Sequence, residues 1–341
     1  MRADADVIII GAGMAGLALA RALAGPGLGL SLLVIDPREA RPDRRVWVFP
    51  APPGHALARF AVNETRAVRY AGRAGTLSAA PIWTVEAQAV QDAALDALSA
   101  SSHARLARGV RLDDVRASAG RAELSCSLGL LRARQIIDTR PAPGHGVAAG
   151  AFTQIILSAE APADGAEAGF ELSAPQVQAG GLMLVQRHVL ADGRMLAEAV
   201  RLAPPGDDGA GLKAVLDEAL GGRSHTPARR AVLPLVPPEA RKAPPGPVIN
   251  APARAGGLRF AVGLEALRLA RWAQGATHDW ISGRLISAPP DPGAASRAAA
   301  LALHKRLRQA PKTAADWLNA QMTASDPDAV TAFLAGTARG D

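Results

Sequence analysis

One cysteine in 341 residues leaves this chain no means of forming an internal disulfide or a multi-cysteine metal site. The lone Cys126 fits a reducing compartment and reads as a small core residue rather than a nucleophile. Aromatic residues make up only 4% of the chain, with a single tyrosine, Tyr70. There is no basic region interleaved with aromatics and no zinc-finger spacing, so nucleic acid is not an expected partner. No apolar run reaches the length of a membrane span, and residues 7–10 are too few for a secretory signal. The expected location is therefore cytoplasmic, or peripheral on the inner membrane face. Acids are in deficit, 31 against 38 Lys and Arg, for a net charge of +7. The basic residues are scattered and read first as solvated surface, second as attraction to an anionic membrane. What is plentiful is apolar surface: 49% of the residues are hydrophobic, enough for a large core. The length suits two domains or one domain with a large insertion.

The first thirty-six residues carry the strongest pattern. Asp6-Val7-Ile8-Ile9-Ile10 is an apolar strand, Gly11-Ala12-Gly13-Met14-Ala15-Gly16 a G-x-G-x-x-G turn, and a small-residue helix leads to Leu32-Leu33-Val34-Ile35-Asp36. Gly11 permits the tight turn, Gly13 lets backbone approach a pyrophosphate, and Gly16 lets the helix pack on the strand. The helix N-terminus offers N–H groups and a positive dipole end to phosphates. Asp36, twenty residues after Gly16, stands where an acid accepts a hydrogen bond from a ribose hydroxyl. A dinucleotide site is the expectation.

Beyond this unit, residues 42–82 read as irregular and residues 86–100 as an amphipathic helix. Short strands are expected at 110–112, 122–127 and 134–138, the last ending in Asp138-Thr139-Arg140. Such strand ends are where ligands sit in open α/β sheets. Strands at 154–157, 182–189, 195–202 and 230–235, with Asp192-Gly193 as a hairpin turn and a helix over 211–220, suggest a mainly antiparallel sheet. A proline-rich connector over 237–247, a returning strand at 258–262 ending at Gly263, and helices at 276–287, 294–309, 312–322 and 327–335 complete the reading. The predicted class is α/β: a Rossmann-like first domain (1–150), an inserted antiparallel sheet forming a substrate domain (151–250), and a return to the first domain with C-terminal helices (251–341).

A chain that leaves a nucleotide domain and returns to it resembles the FAD-dependent flavoproteins of the glutathione-reductase and hydroxylase type. Within these it is most similar to the bacterial lycopene cyclases. The resemblance rests on residues 11–16 with Asp36, on Arg44-Arg45-Val46-Trp47-Val48-Phe49 at the family's aromatic segment, and on Ile136-Ile137-Asp138-Thr139-Arg140. It also rests on Met195-Leu196-Ala197-Glu198 after the hairpin, and on Leu258-Arg259-Phe260-Ala261-Val262-Gly263-Leu264-Glu265-Ala266 at the second flavin motif. Thr139 stands where the cyclases have glycine, and the family's Thr-Gly-Tyr reads here as Gln274-Gly275-Ala276.

The resemblance implies FAD, kept reduced by NAD(P)H, and a redox-neutral cyclisation of a polyene or other apolar isoprenoid. Glu198 is then the proton donor, and a carboxyl group facing an apolar cavity is held protonated, as an acid must be. The implied cofactor set is Gly11, Ala12, Gly13, Met14, Ala15, Gly16, Asp36, Val110, Asp138, Gly263 and Glu265, with Glu265 toward the ribityl chain and the helix from Gly275 aimed at the flavin or pyrophosphate. Asp138 and Arg140 either touch FAD or pair with each other. No metal is expected. Residues 263–266 and 274–279 also resemble the aromatic hydroxylases, so an FAD-dependent monooxygenase or oxidoreductase on an apolar or aromatic substrate stays open. A non-catalytic flavin-fold protein is the third reading. His188 reads as a solvated or core-satisfied histidine, Trp272 and Trp280 as core, and Asp279, beside His278, as a helix cap.

Overall fold

Strands buried on both faces read as unbroken apolar runs, and the first two strands do so. In the computed structural model, which describes residues 4–336 apart from 26, 41, 44, 119, 141–151, 179, 205, 236–245, 252–260 and 291–293, β1 (Ala5–Ile10) leads through the glycine turn into α1 (Met14–Leu23) and β2 (Leu32–Asp36). Val7, Ile8, Ile9 and Ile10 have no exposed surface, and each contributes about 2 kcal/mol by leaving water.

The segment expected to be irregular instead holds four short strands and the start of a fifth. β3 (Val46–Pro50), a 3-10 turn (Ala58–Phe60), β4 (Ala61–Thr65), β5 (Ala67–Tyr70), β6 (Arg73–Thr76) and β7 (Ile82–Glu86) follow in order. β3, β7 and β4 form a three-stranded antiparallel sheet. α2 (Ala87–Ala100) follows as expected, then β8 (Ala104–Arg108), β9 (Leu112–Ser118), β10 (Arg121–Cys126) and β11 (Gly129–Asp138). Val110 lies between β8 and β9 rather than opening a strand.

The second sheet is built from β12 (Thr153–Pro162), β13 (Gly169–Leu172), β14 (Gln176–Gln178), β15 (Gly181–Val189) and β16 (Arg194–Ala203), and then, after α3 (Leu212–Ala219), β17 (Arg229–Pro234). Its order is β17-β12-β16-β15-β13-β5-β6, with β14 on β15, so the hairpin β5–β6 from the first part of the chain extends it. The Asp192-Gly193 hairpin forms, with Gly193 at φ 81°.

The chain returns to the first sheet at β18 (Val248–Asn250), which pairs parallel to β11. The return expected at 258–262 is not there: Ala261 and Val262 open α4 (Ala261–Ile281), and residues 258–260 lie outside the described residues. Gly275 is therefore mid-helix, and no helix N-terminus exists there to face a cofactor. α5 (Ala294–Gln309), α6 (Pro311–Met322) and α7 (Pro327–Leu334) follow as expected. No described helix is long and apolar enough to cross a membrane.

The architecture is α/β. In a Rossmann-like sheet of order β8-β2-β1-β11-β10-β9, with β18 on β11, the strands β8, β2, β1, β11 and β18 run parallel and β10 and β9 close it as an antiparallel meander. α1 and α4 pack on one face with Leu19, Leu23, Leu269 and Trp272. The β9–β11 meander covers the other face with Leu124, Cys126 and Ala133. The largest core joins the three-stranded sheet, the inner face of the second sheet and α5–α7.

α4 meets β3 at Gly263, where a Cβ would stand 2.4 Å from Phe49 Cδ1. Gly263→Ala should therefore force α4 off Phe49 and cost about 1–3 kcal/mol in urea unfolding. Phe49→Leu in the same chain should recover part of that loss. An unchanged unfolding midpoint for Gly263→Ala would refute this packing.

Candidate functional site

The glycine turn is shaped by close approach. Gly11 sits at φ +100° and its N–H donates to Ile35 O (2.7 Å). A Cβ on Gly16 would lie 1.8 Å from Gly11 O, so only glycine lets α1 start here. Gly13 is the N-cap of α1, with no side-chain cap, and the nearest atom to a Cβ there is the Arg38 guanidinium at 3.9 Å. The first-turn N–H groups of Met14, Ala15 and Gly16 thus keep the positive end of the helix dipole uncapped. That is the arrangement an anionic phosphate needs.

Two acids flank this loop, one from each strand beside β1. Asp36, 2% exposed, accepts from Ala12 N (2.6 Å), Arg38 N (2.8 Å) and the Arg38 guanidinium (3.0 and 3.1 Å). Burial alone would raise the Asp36 pKa, but the Arg38 guanidinium and the two backbone N–H groups outweigh it and hold the carboxyl below its ordinary value. Asp138 is gripped in the same way by Arg140, through the backbone N (3.0 Å) and the guanidinium (2.7 and 3.0 Å). Asp138 and Arg140 thus pair with each other, one of the two roles expected for them. Between them Thr139 donates its hydroxyl to Ile10 O (2.8 Å) and Gly11 O (3.1 Å), which fastens the loop from below. Val110 is buried, and its N–H donates to Asp36 O (3.3 Å).

A cavity of about 370 Å³ opens at Ala12, Gly13 and Met14 and runs between α1, α2 and α4. Trp47 lines it, is 3% exposed, and its indole N–H has no hydrogen-bond partner among the described residues. His55 stands behind the wall, edge-on to Phe49 and Trp83. Its Nδ1 accepts from Leu57 N (3.2 Å), which places the ring proton on Nε2. Burial first, and the charge of Arg271 second, hold His55 below its ordinary pKa of 6.5.

Other expected residues fall elsewhere. Gly263 serves the contact with Phe49. Glu265 lies in α4, 3% exposed, paired with Arg268, so the ribityl role inferred for it from a strand end does not follow from its position. Glu198 is 6% exposed on β16, flanked along its face by Leu196 and Val200, and accepts from Gln186 Nε2 (3.2 Å). It is not among the residues lining the glycine-loop cavity. His188 is fully buried between Thr84 (2.7 Å) and Asn63 (3.1 Å). Asp279 does not cap a helix start; near the end of α4 it accepts from Arg284 and Ser287 N and ties down the next loop. Cys126 and Trp272 are core.

Sequence reasoning gave no role to Arg38. Its signal was present as a repeated Asp-x-Arg at two strand ends, Asp36-Pro37-Arg38 and Asp138-Thr139-Arg140.

Residues 6–169 match the family model described as lycopene cyclase protein. No curated protein matches the chain. Solved structures share the fold. A p-nitrophenol 4-monooxygenase from Pseudomonas putida DLL-E4 is 15% identical, with 99% of this chain and 94% of that one covered at a TM-score of 0.60. A geranylgeranyl bacteriochlorophyll reductase-like protein from Thermoplasma acidophilum is 13% identical, with 97% and 96% covered at 0.60. Aklavinone-11 hydroxylase, solved with FAD and aklavinone, is 15% identical, with 94% and 68% covered at 0.57.

Two outcomes test the site. Gly13→Ala should keep the parent melting temperature, because the backbone there (φ −88°) suits alanine and little stands in its way. It should still weaken dinucleotide binding by about tenfold or more by filling the approach to the phosphates. Gly16→Ala should lose both stability and binding, so equal behaviour of the two variants would contradict the roles assigned. Separately, a folded-state His55 pKa below 6.5 makes neutral imidazole the stabilising form. Its contribution is intact above pH 6.5 and is lost as pH falls from there through the folded pKa. His304 is shifted in the same direction. The urea midpoint should therefore drop on acidification below pH 6.5, with a shallower slope in His55→Gln.

Proposed function

We propose that this chain is an FAD-dependent enzyme that carries out lycopene-cyclase-like chemistry: acid-initiated, redox-neutral cyclisation of a polyene or related apolar isoprenoid. The observation that carries it is the family match over residues 6–169, which spans the glycine turn, Asp36, Trp47 and Asp138. The residues present fit the cofactor at its phosphates: glycine at position 16 is enforced by contact, and position 13 is left clear. Met14, Ala15 and Gly16 N–H groups would hold the pyrophosphate, Asp36 the ribose in company with Arg38, and Val110 the adenosine end. The Trp47 N–H, without a partner among the described residues, is a donor available to the same group. Reduced FAD, maintained by NAD(P)H, would supply electron density beside the developing cation.

Glu198 is the proton donor in this reading. Gln186 orients its carboxyl by donating from Nε2, and Leu196 and Val200 keep water from it. A void of about 20 Å³ lies farther along the same face, between Val200, Leu184 and Leu172 of the sheet and Leu318, Met322 and Leu334 of the C-terminal helices.

The test is pigment analysis of lycopene-accumulating bacteria expressing the chain, with flavin content read on the purified protein. The expected result is yellow protein and cyclised carotene. Glu198→Gln should keep its flavin and lose conversion by at least about 100-fold, the scale of a general acid. Flavin-loaded protein that leaves lycopene unchanged would sink the cyclase assignment, and stoichiometric NAD(P)H consumption with another substrate would replace it with an oxidoreductase.

A further inference from the structure

Arg21 and Arg59 are unusual among the arginines of this protein. Arg21 lies in the last turn of α1 and Arg59 in the 3-10 turn, yet both guanidinium groups stand over the ring of Phe60, at 4.9 and 4.8 Å from its centroid. Neither has an ion-pair partner among the described residues. Two like charges sharing one ring repel each other, and the ring's negative face offsets only part of that. The arrangement is relieved by an anion.

Arg21 also lines the cavity that starts at the glycine turn, and Leu57, two residues before Arg59, lines it from the other side. Behind this mouth the walls are alkyl: Leu17 and Ala18 of α1, Val90 of α2, and Ala266, Ala270 and Ala273 of α4. Among the described residues that line the cavity the one acid, Asp43, is already bonded to the Arg45 guanidinium, which leaves the Arg21 charge at the mouth uncompensated by it. The helices cannot simply close on the space. α4 is braced on Phe49 at Gly263, and its Thr277 hydroxyl donates to Ala22 O (3.4 Å) at the far end. An apolar void of roughly 150 Å³ takes benzene, so about 370 Å³ has room for a single chain of about a dozen carbons and is too small for a two-chain lipid.

We propose that this cavity binds a single-chain amphiphile, an alkyl or isoprenoid chain lying between α1, α2 and α4, with its anionic phosphate or carboxylate head held by Arg21 and Arg59. This goes beyond the cyclase reading and rests on it in one respect: the cofactor's pyrophosphate is taken to occupy the Gly13–Met14 end, leaving the Leu17–Arg21 side of α1 to the chain.

The test is calorimetric titration of the purified protein with dodecyl phosphate, dodecanoate and dodecanol, each below its aggregation threshold. The two anions should bind at least about tenfold tighter than dodecanol, the margin of a charge-assisted contact. Phosphate-only or carboxylate-only preference identifies the head. Arg21→Gln with Arg59→Gln should erase that margin while leaving flavin absorbance unchanged, and Ala270→Phe should weaken all three probes. Equal affinities for anionic and neutral chains would overturn the proposal, as would loss of flavin in the double arginine variant, which would assign the pair to the cofactor. If the parent protein carries no flavin, the cofactor reading fails by itself. The difference between anionic and neutral chains, and its dependence on the two arginines, is still measured in that case.

Discussion

The seating of α1 on the end of β1 is the constraint on which the rest of the first domain depends. With the Gly16 Cα so close to Gly11 O that a Cβ would overlap it, the helix axis, the turn and the strand end are fixed relative to one another. Parallel pairing then sets the neighbours. β2 and β11 lie on either side of β1, in register, so their last residues, Asp36 and Asp138, arrive together at the turn. Thr139 binds two carbonyls of the turn, and Ala12 N binds Asp36, so the turn is held from beneath and from one side. What is left open is the front, above Gly13. The Thr139 hydroxyl is thus an added fastening of the same loop.

Both acids are clamped by an arginine two residues on, and the consequence is electrostatic. An unpaired buried carboxylate beside a phosphate site would repel the phosphate. Neutralised by Arg38 and Arg140, the two strand ends present no net negative charge to the turn; Asp138, accepting three hydrogen bonds, keeps a lone pair for a further donor, whereas the four already accepted by Asp36 mean that a ribose hydroxyl would take the place of one of them. Gln186, Glu198 and His188 do related work on the inner face of the second sheet. Asn63 Oδ1 accepts from Ala191 N (3.2 Å), so its Nδ2 is the donor to His188 Nε2. His188 Nδ1 then carries the proton and donates to Thr84. A neutral histidine in one fixed tautomer thereby joins the second sheet to the three-stranded sheet.

The legible parts of the sequence were those in which one local rule decides. The apolar runs of β1 and β2, the glycine turn, the hairpin at Gly193 and the helices α2, α3, α5, α6 and α7 all follow from periodicity and turn chemistry. The segment 42–82 was not legible because its strands are four or five residues long, with Pro50, Pro52, Pro53 and Gly54 among them, and are stabilised by partners distant in the chain: β5 pairs with β13, about a hundred residues on. The return strand was misplaced for a related reason. Val248–Asn250 is only three residues, whereas the longer apolar run nearby leads into α4. Gly263 has a requirement that no local pattern carries: Phe49, against which it packs, is more than two hundred residues away.

Scarce aromatics argue against a site for a cation or a polyene only if the scarcity is uniform, and it is not. Of the 5 Trp, 6 Phe and 1 Tyr, Trp47, Phe49, Tyr70, Trp83, Phe152, Phe170 and Phe333 are buried in the one core between the three-stranded sheet, the second sheet and the C-terminal helices, with Phe60 and Trp317 packed against it. Glu198 lies on the sheet face that this core covers, with Leu196 and Val200 of that core on either side of it. Ring faces are electron-rich and stabilise positive charge at short range. A chain poor in aromatic residues overall therefore concentrates them on the side of the sheet where the proposed acid would generate a cation.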